Sequence, residues 1–151
     1  DRMDFAVQKS AELGVNEITP TYTEYGEVRL KPERVTKKLQ HWQKIAISAC
    51  EQSGQVDVPV INKPISLMEL SLGECVNKWM LEPSGSDALP QSIAENNITL
   101  LVGPEGGFSE NEIAWAQCND FQVLALGSRI LRTETAPVAA IAILQHKYGD
   151  M

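Results

Sequence analysis

The stretch LLVGPEGGFSENE, residues 100–112, passes from an apolar run through three glycines into a Ser-x-x-Glu pattern. Each part has a conformational reading. ITLLVG (98–103) is the kind of near-continuous apolar run expected of a strand covered on both faces. Ser109 and Glu112 have the spacing of a capping box, so a helix should begin just after Ser109. Gly103, Gly106 and Gly107 make the connection, where the lack of a Cβ allows tight turning and close backbone approach. A buried strand feeding a helix through glycines points to an α/β fold with a mostly parallel sheet. In such sheets ligands sit beyond the carboxyl ends of the strands, so this turn is a candidate site.

The turn has the outline of a phosphate cradle but the wrong chemistry. Pro104 offers no backbone N–H, and Glu105 puts a carboxylate where a phosphate needs donors. Neither G-x-G-x-x-G nor G-x-x-x-x-G-K-[ST] is present. A ligand without phosphates and with a positive charge suits Glu105 better.

Toward the C-terminus, FQVLAL (121–126) reads as a second buried strand, and APVAAIAILQHKYG (136–149) as an apolar helix with Pro137 in its first turn. Between them GSRILRTETAP (127–137) places Arg129, Arg132, Thr133, Glu134 and Thr135. Thr133 or Thr135 can serve as N-cap and Glu134 as partner of the helix dipole. Two arginines this close to a core call for a partner, in Glu105, Glu134 or a bound anion.

Toward the N-terminus, MDFAVQKSAEL (3–13) has helical spacing and Gly14 is a plausible stop, VNEITP (15–20) reads as a short strand, and Pro32 suits the first turn of a long helix ending near Gly54. In that helix Val35, Leu39, Trp42, Ala46 and Ala49 form one apolar stripe. VDVPVI (56–61) and NKWMLEP (77–83) read as strands, Ser66 with Glu69 as a capping box for a brief helix over 66–72, and SGSDALPQS (84–92) as surface loop. Strands and helices alternate, so helices should cover both faces of the sheet.

The chain has 151 residues, one domain's length, with 43 % hydrophobic and 22 % charged residues. No apolar run approaches the roughly 20 residues needed to cross a bilayer and the first residues lack a signal-peptide pattern, so a cytoplasmic setting is expected. The opening Asp1, followed at once by a helical pattern, suggests a piece of a longer protein. Cys50, Cys75 and Cys118 fit neither a disulfide framework nor a CxxC metal site, and are expected to be reduced, partly buried and inert, with no metal bound. A net charge of −7 opposes broad nucleic-acid binding, yet residues 29–44 hold six of the thirteen Lys and Arg against one acid, Glu33. His41 and His146 fall on helices away from both loops.

GPEGGFS followed by LGSRILRTETA resembles the paired signature of the ribosomal small-subunit methyltransferase E family of the SPOUT class. VQKSAELGVNEITP, KKLQHWQKIAISACEQSG and the closing Gly149-Asp150 extend the resemblance over essentially the whole chain. The sequence departs from the family at Gln55, where members usually carry Arg, and at Ser128, where they often carry Pro. The resemblance implies one SPOUT methyltransferase domain over 1–151, without the PUA-like N-terminal barrel of the family. It also implies a C-terminal deep trefoil knot and a homodimer. The implied activity is S-adenosylmethionine-dependent methylation of N3 of a uridine in the decoding region of 16S ribosomal RNA.

The resemblance further assigns cofactor binding to Val102, Gly103, Glu105, Gly106, Gly107, Leu126, Gly127, Ile130, Leu131 and Thr133, with Leu126, Ile130 and Leu131 walling the adenine. Glu105 would lie near the sulfonium or a ribose hydroxyl. Arg132 would stabilise charge developing on uracil, and Glu134 would orient Arg132, act as base or serve only as a helix N-terminal carboxylate. A different class of function on the same loops is a non-catalytic nucleotide- or adenosine-binding regulatory module.

Overall fold

In the computed structural model of the chain, which describes residues 1–86 and 88–151, local signals in the sequence account for most element ends. Helix α1 spans Arg2–Glu12 and ends at Leu13, with Gly14 left-handed at φ 87° just beyond. Helix α2 spans Pro32–Ser53; its missing first N–H costs nothing at that position, and Gly54 closes it at φ 77° with its N–H on the Cys50 carbonyl. The apolar stripe of α2 packs against α1. Trp42, Ala46, Ala49 and Cys50 are buried with Val7 and Ala11, and Leu39, Ile18 and Ile61 lie against them.

Four short strands form one interrupted parallel pairing. β1 (Glu17–Ile18) pairs with β3 (Val60–Ile61), and β2 (Thr21–Tyr22) with β4 (Ile65–Ser66). Pro20 and Pro64 sit in the gap, where a residue without an N–H cannot continue a ladder. Bonds from Asn62 N to Ile18 O (2.9 Å) and from Ile65 N to Pro20 O (3.1 Å) carry the pairing across it.

The sheet that positions the site is β6-β5-β7, from β5 (Asn77–Ser86), β6 (Ile98–Leu101) and β7 (Gln122–Leu124), all parallel. Side chains alternate across β5, so Trp79 and Met80 enter opposite cores. Met80 packs with Leu67, Leu101, Phe108, Ala116 and Phe121 beneath α3 (Glu110–Cys118). Trp79 packs with Leu124 and Leu144 beneath α4 (Thr135–Tyr148). The parallel sheet with helices on both faces is therefore present. No helix of the described residues is long and apolar enough to cross a membrane.

Three local expectations change. Ser66 and Glu69 do not form a capping box: only a 3₁₀ turn, Leu67–Glu69, follows Ser66, and the Ser66 hydroxyl accepts from Arg29 instead. The cysteines differ among themselves, with Cys50 buried, Cys75 half-buried and Cys118 exposed. The stretch 84–92 is not all loop, because β5 runs on to Ser86; Asp87 lies outside the described residues. The strand reaches that length through a bulge, since Leu81 and Ser86 both register with Leu124.

Gly85 lies in that bulge, where a Cβ would stand 2.6 Å from the carbonyl carbon and oxygen of Val123. The neighbour is backbone and cannot rotate away. Gly85→Ala is expected to cost about 1–3 kcal/mol, read as a lower urea midpoint at unchanged slope. An unshifted midpoint would mean that β5 and β7 do not approach so closely.

Candidate functional site

Because β6 and β7 run parallel on either side of β5, the loops that follow them leave the same end of the sheet, their strands roughly 10 Å apart. In the first loop, the N–H of Gly107 donates to Pro104 O at 2.9 Å and Gly107 takes φ 78°, which closes a tight turn over Pro104–Gly107. In the second, Gly127 takes φ 72°. Nothing lies within 4 Å of where a Cβ would stand on Gly107 or Gly127, so both present bare backbone to open space. Gly103 and Gly106 are different. A Cβ on Gly103 would meet the Phe108 ring at 2.9 Å, and one on Gly106 would meet the Tyr25 Cβ at 3.0 Å. Two glycines thus serve packing within the chain and two leave room for a ligand at the main chain.

The acids of the two loops meet at Arg2, on the first turn of α1. Its guanidinium is hydrogen-bonded to Glu105, and its Nε lies 3.9 Å from the Glu134 carboxylate. The hydrogen bond from Arg2, and then its charge, hold the Glu105 carboxyl below the usual glutamate range; slight burial opposes this and Arg132 adds to it. The influence of Arg132 puts the two loops within electrostatic reach of each other. Since the folded value is depressed, the stabilisation from Glu105 is fully present above the ordinary value of 4.5 and is lost as pH falls through the lowered one. A carboxyl NMR titration should place the Glu105 midpoint below 4.5, and Arg2→Ala should raise it. An unchanged midpoint would remove Arg2 from the site.

Arg2 was absent from the sequence-based set of site residues, and it takes the acids expected to serve Arg129 and Arg132. Among the described residues those two arginines make no ion pair, and both are exposed. Val102, Leu126, Leu131 and Thr133 are half-buried, with Leu126 resting on the Trp79–Leu124–Leu144 cluster, whereas Ile130 is 84 % exposed. Neither Thr133 nor Thr135 caps α4. Glu134 occupies the N-cap position without a side-chain cap bond, and the Thr135 and Ala136 N–H groups bond to Arg132 O at 2.9 and 3.0 Å.

A third segment braces the glycine turn. The capping box of α3 forms: Ser109 N donates to Glu112 Oε1 at 2.9 Å and Glu112 N to Ser109 Oγ at 3.2 Å. Glu112 is only 4 % exposed, and its Oε2 accepts from Glu24 N at 3.0 Å. One buried carboxylate therefore ties the Thr23–Gly26 turn to the base of the glycine loop, and Tyr25 covers Gly106. The Ser-x-x-Glu spacing announced half of this; nothing local announces a partner 88 residues away. A groove of about 500 Å³ opens on the outer side of this brace, between Tyr22–Arg29 and Ser66–Met68, rather than between the two loops.

A family model described as RNA methyltransferase domain matches residues 1–145. The ribosomal RNA small subunit methyltransferase E of Buchnera aphidicola subsp. Schizaphis graminum is 42 % identical over 156 residues, covering 100 % of this chain and 63 % of its own length. The protein of the same name from Bacillus subtilis is 32 % identical over 158 residues, covering 97 % of this chain and 62 % of its own length. Among solved structures, a ribosomal RNA small subunit methyltransferase E from Neisseria gonorrhoeae bound to S-adenosyl methionine superposes with a TM-score of 0.90 at 43 % identity, covering 100 % of this chain and 63 % of that one. A Legionella pneumophila methyltransferase in complex with SAM also gives 0.90, at 39 % identity over 97 % of this chain and 61 % of that one. The chain thus spans somewhat under two thirds of these relatives.

Proposed function

Since this chain belongs to the RNA methyltransferase domain family, we propose that it transfers the methyl group of S-adenosylmethionine to N3 of a uridine in the decoding region of 16S ribosomal RNA. The observation that carries the reading is the convergence of GPEGGFS and LGSRILRTETA at one end of the sheet, their acids sharing Arg2. Two relatives of matching fold were solved with that cofactor.

The residues present fit the cofactor. Gly107 and Gly127 leave bare backbone facing open space, and Glu105 and Glu134 give the site two carboxylates against one shared guanidinium. In this reading Val102, Gly103, Glu105, Gly106 and Gly107 form one wall and Leu126, Gly127, Ile130, Leu131 and Thr133 the other. When bound, S-adenosylmethionine supplies an electrophilic methyl group on a sulfonium. The chain's own task is to place uracil N3 in line with it and manage one proton. Arg132, exposed and without an ion pair among the described residues, donates paired hydrogen bonds to a uracil carbonyl oxygen as charge builds there. Glu134 would accept the N3 proton, so that the N3–H bond is lost as N3 takes the methyl group and the cofactor's positive charge is cancelled on its release as a thioether.

The trefoil knot, the single catalytic domain over 1–151 and a cytoplasmic homodimer belong to the same proposal. Ile130, 84 % exposed and assigned to an adenine wall, gains a facing surface if a second copy closes the site. Isothermal calorimetry with S-adenosylmethionine, S-adenosylhomocysteine and ATP tests the cofactor directly. Binding of the first two and not the third is expected. Preference for ATP would sink the proposal in favour of a nucleotide-binding regulatory module.

A further inference from the structure

The longest helix carries a feature that the cofactor site does not use. Arg34, Lys37, Lys38 and His41 recur at spacings of three, one and three on α2, which stacks them on one face. Together they line a shallow groove of about 230 Å³. The face is opposite in sign to the rest of the molecule, because residues 29–44 hold six of thirteen cations and one of twenty acids in a chain of net charge −7. An anionic polymer therefore meets repulsion over most of this surface and attraction here.

Two of the four groups are anchored within the chain and two are not. Lys38 Nζ lies 3.7 Å from the Asp1 carboxylate, and His41 Nε2 lies 2.8 Å from Asp4 Oδ2. Arg34 and Lys37 are exposed and make no ion pair among the described residues. Of the anchoring acids, Asp1 caps α1 and Asp4 lies on its first turn, and Arg2 of the same turn contacts Glu105. Consecutive residues Asp1 and Arg2 thus link the basic face to the glycine turn. The acids along that link, Asp1, Asp4 and Glu105, each face a cation of the chain: Lys38, His41 and Arg2.

We infer that this face of α2 holds the phosphate backbone of the substrate RNA, with Arg34 and Lys37 as the principal phosphate contacts, steering the strand toward the glycine turn. The inference rests on the reading of the chain as an RNA methyltransferase, and it names where that substrate is gripped. Contacts of this kind carry no base information; they fix register and make affinity depend on salt.

The test is the affinity of the full-length protein for small ribosomal subunits lacking the methyl group, measured across a salt series for wild type, Arg34→Gln/Lys37→Gln and the control Lys63→Gln, which removes a charge on the exposed turn between β3 and β4. The double variant should bind on the order of tenfold more weakly at physiological salt, with a log–log salt slope shallower by about 1.5. Its cofactor affinity by calorimetry, and its thermal midpoint, should match wild type, and Lys63→Gln should leave the slope unchanged. A double variant with the wild-type slope, or a control that lowers it as much, would overturn the inference while leaving the cofactor assignment standing. Failure of the wild type to bind S-adenosylmethionine would instead remove the functional reading.

Discussion

Arg132→Ala is expected to slow methyl transfer by about 10²- to 10³-fold while S-adenosylmethionine affinity stays within about twofold of wild type. The expectation follows from placement. Arg132 is exposed on the second loop, makes no ion pair among the described residues, and lies close enough to depress the proton affinity of Glu105 on the first. A guanidinium so placed is free to meet charge that exists only in the transition state, and losing it should appear in kcat rather than in cofactor binding. Arg132→Lys should restore only part of the rate, since an ammonium cannot donate two parallel hydrogen bonds. Single-turnover kinetics beside calorimetry separates the outcomes. Lost cofactor affinity with a normal chemical step would move Arg132 into the cofactor wall.

The second large effect is structural. Glu112→Ala is expected to destabilise the fold by about 2–4 kcal/mol, because two N–H groups, of Ser109 and Glu24, lose a partner in a nearly closed site. Glu112→Gln should cost less, since one oxygen remains to accept. Because the same carboxylate braces the turn that carries Tyr25 against Gly106, the alanine variant should also weaken cofactor binding. Loss of less than about 0.5 kcal/mol in denaturant unfolding, the level of an ordinary surface change, would mean that the brace is not formed in solution.

These two predictions draw on different depths of the sequence. The capping box of α3, the apolar stripe of α2 and the Pro32 and Gly54 ends are local patterns, and the structure has each of them. The alternation of strands and helices was enough for a parallel sheet covered on both faces. What local patterns did not reveal depends on contacts distant in sequence. β5 extends to Ser86 because a bulge lets it meet Leu124 twice, and no periodicity encodes that. Ser66 looked like a cap until Arg29 took its hydroxyl. Arg2 looked like an ordinary first-turn residue of α1, yet it is the cation that joins Glu105 to Glu134 across more than a hundred residues.

The site was legible in residue type and less so in role. Four glycines of two loops stood out equally in the sequence. The structure separates Gly103 and Gly106, which admit Phe108 and Tyr25, from Gly107 and Gly127, which face open space. Glu105 suited a cationic partner on its chemistry alone, and the cation found within the chain is Arg2. A sulfonium entering this site would share both carboxylates with that guanidinium, which makes Arg2 a residue to follow in any cofactor titration.

The central claim is methyl transfer to one base position, and one measurement reaches it most directly. Small ribosomal subunits lacking N3-methyluridine are incubated with the full-length protein and methyl-labelled S-adenosylmethionine, and the RNA is digested to nucleosides for mass spectrometry. The account predicts about one labelled methyl per subunit, recovered as N3-methyluridine from a single site in the decoding region. Label on another base, on ribose or on protein, or no label from an enzyme that binds the cofactor, would contradict it.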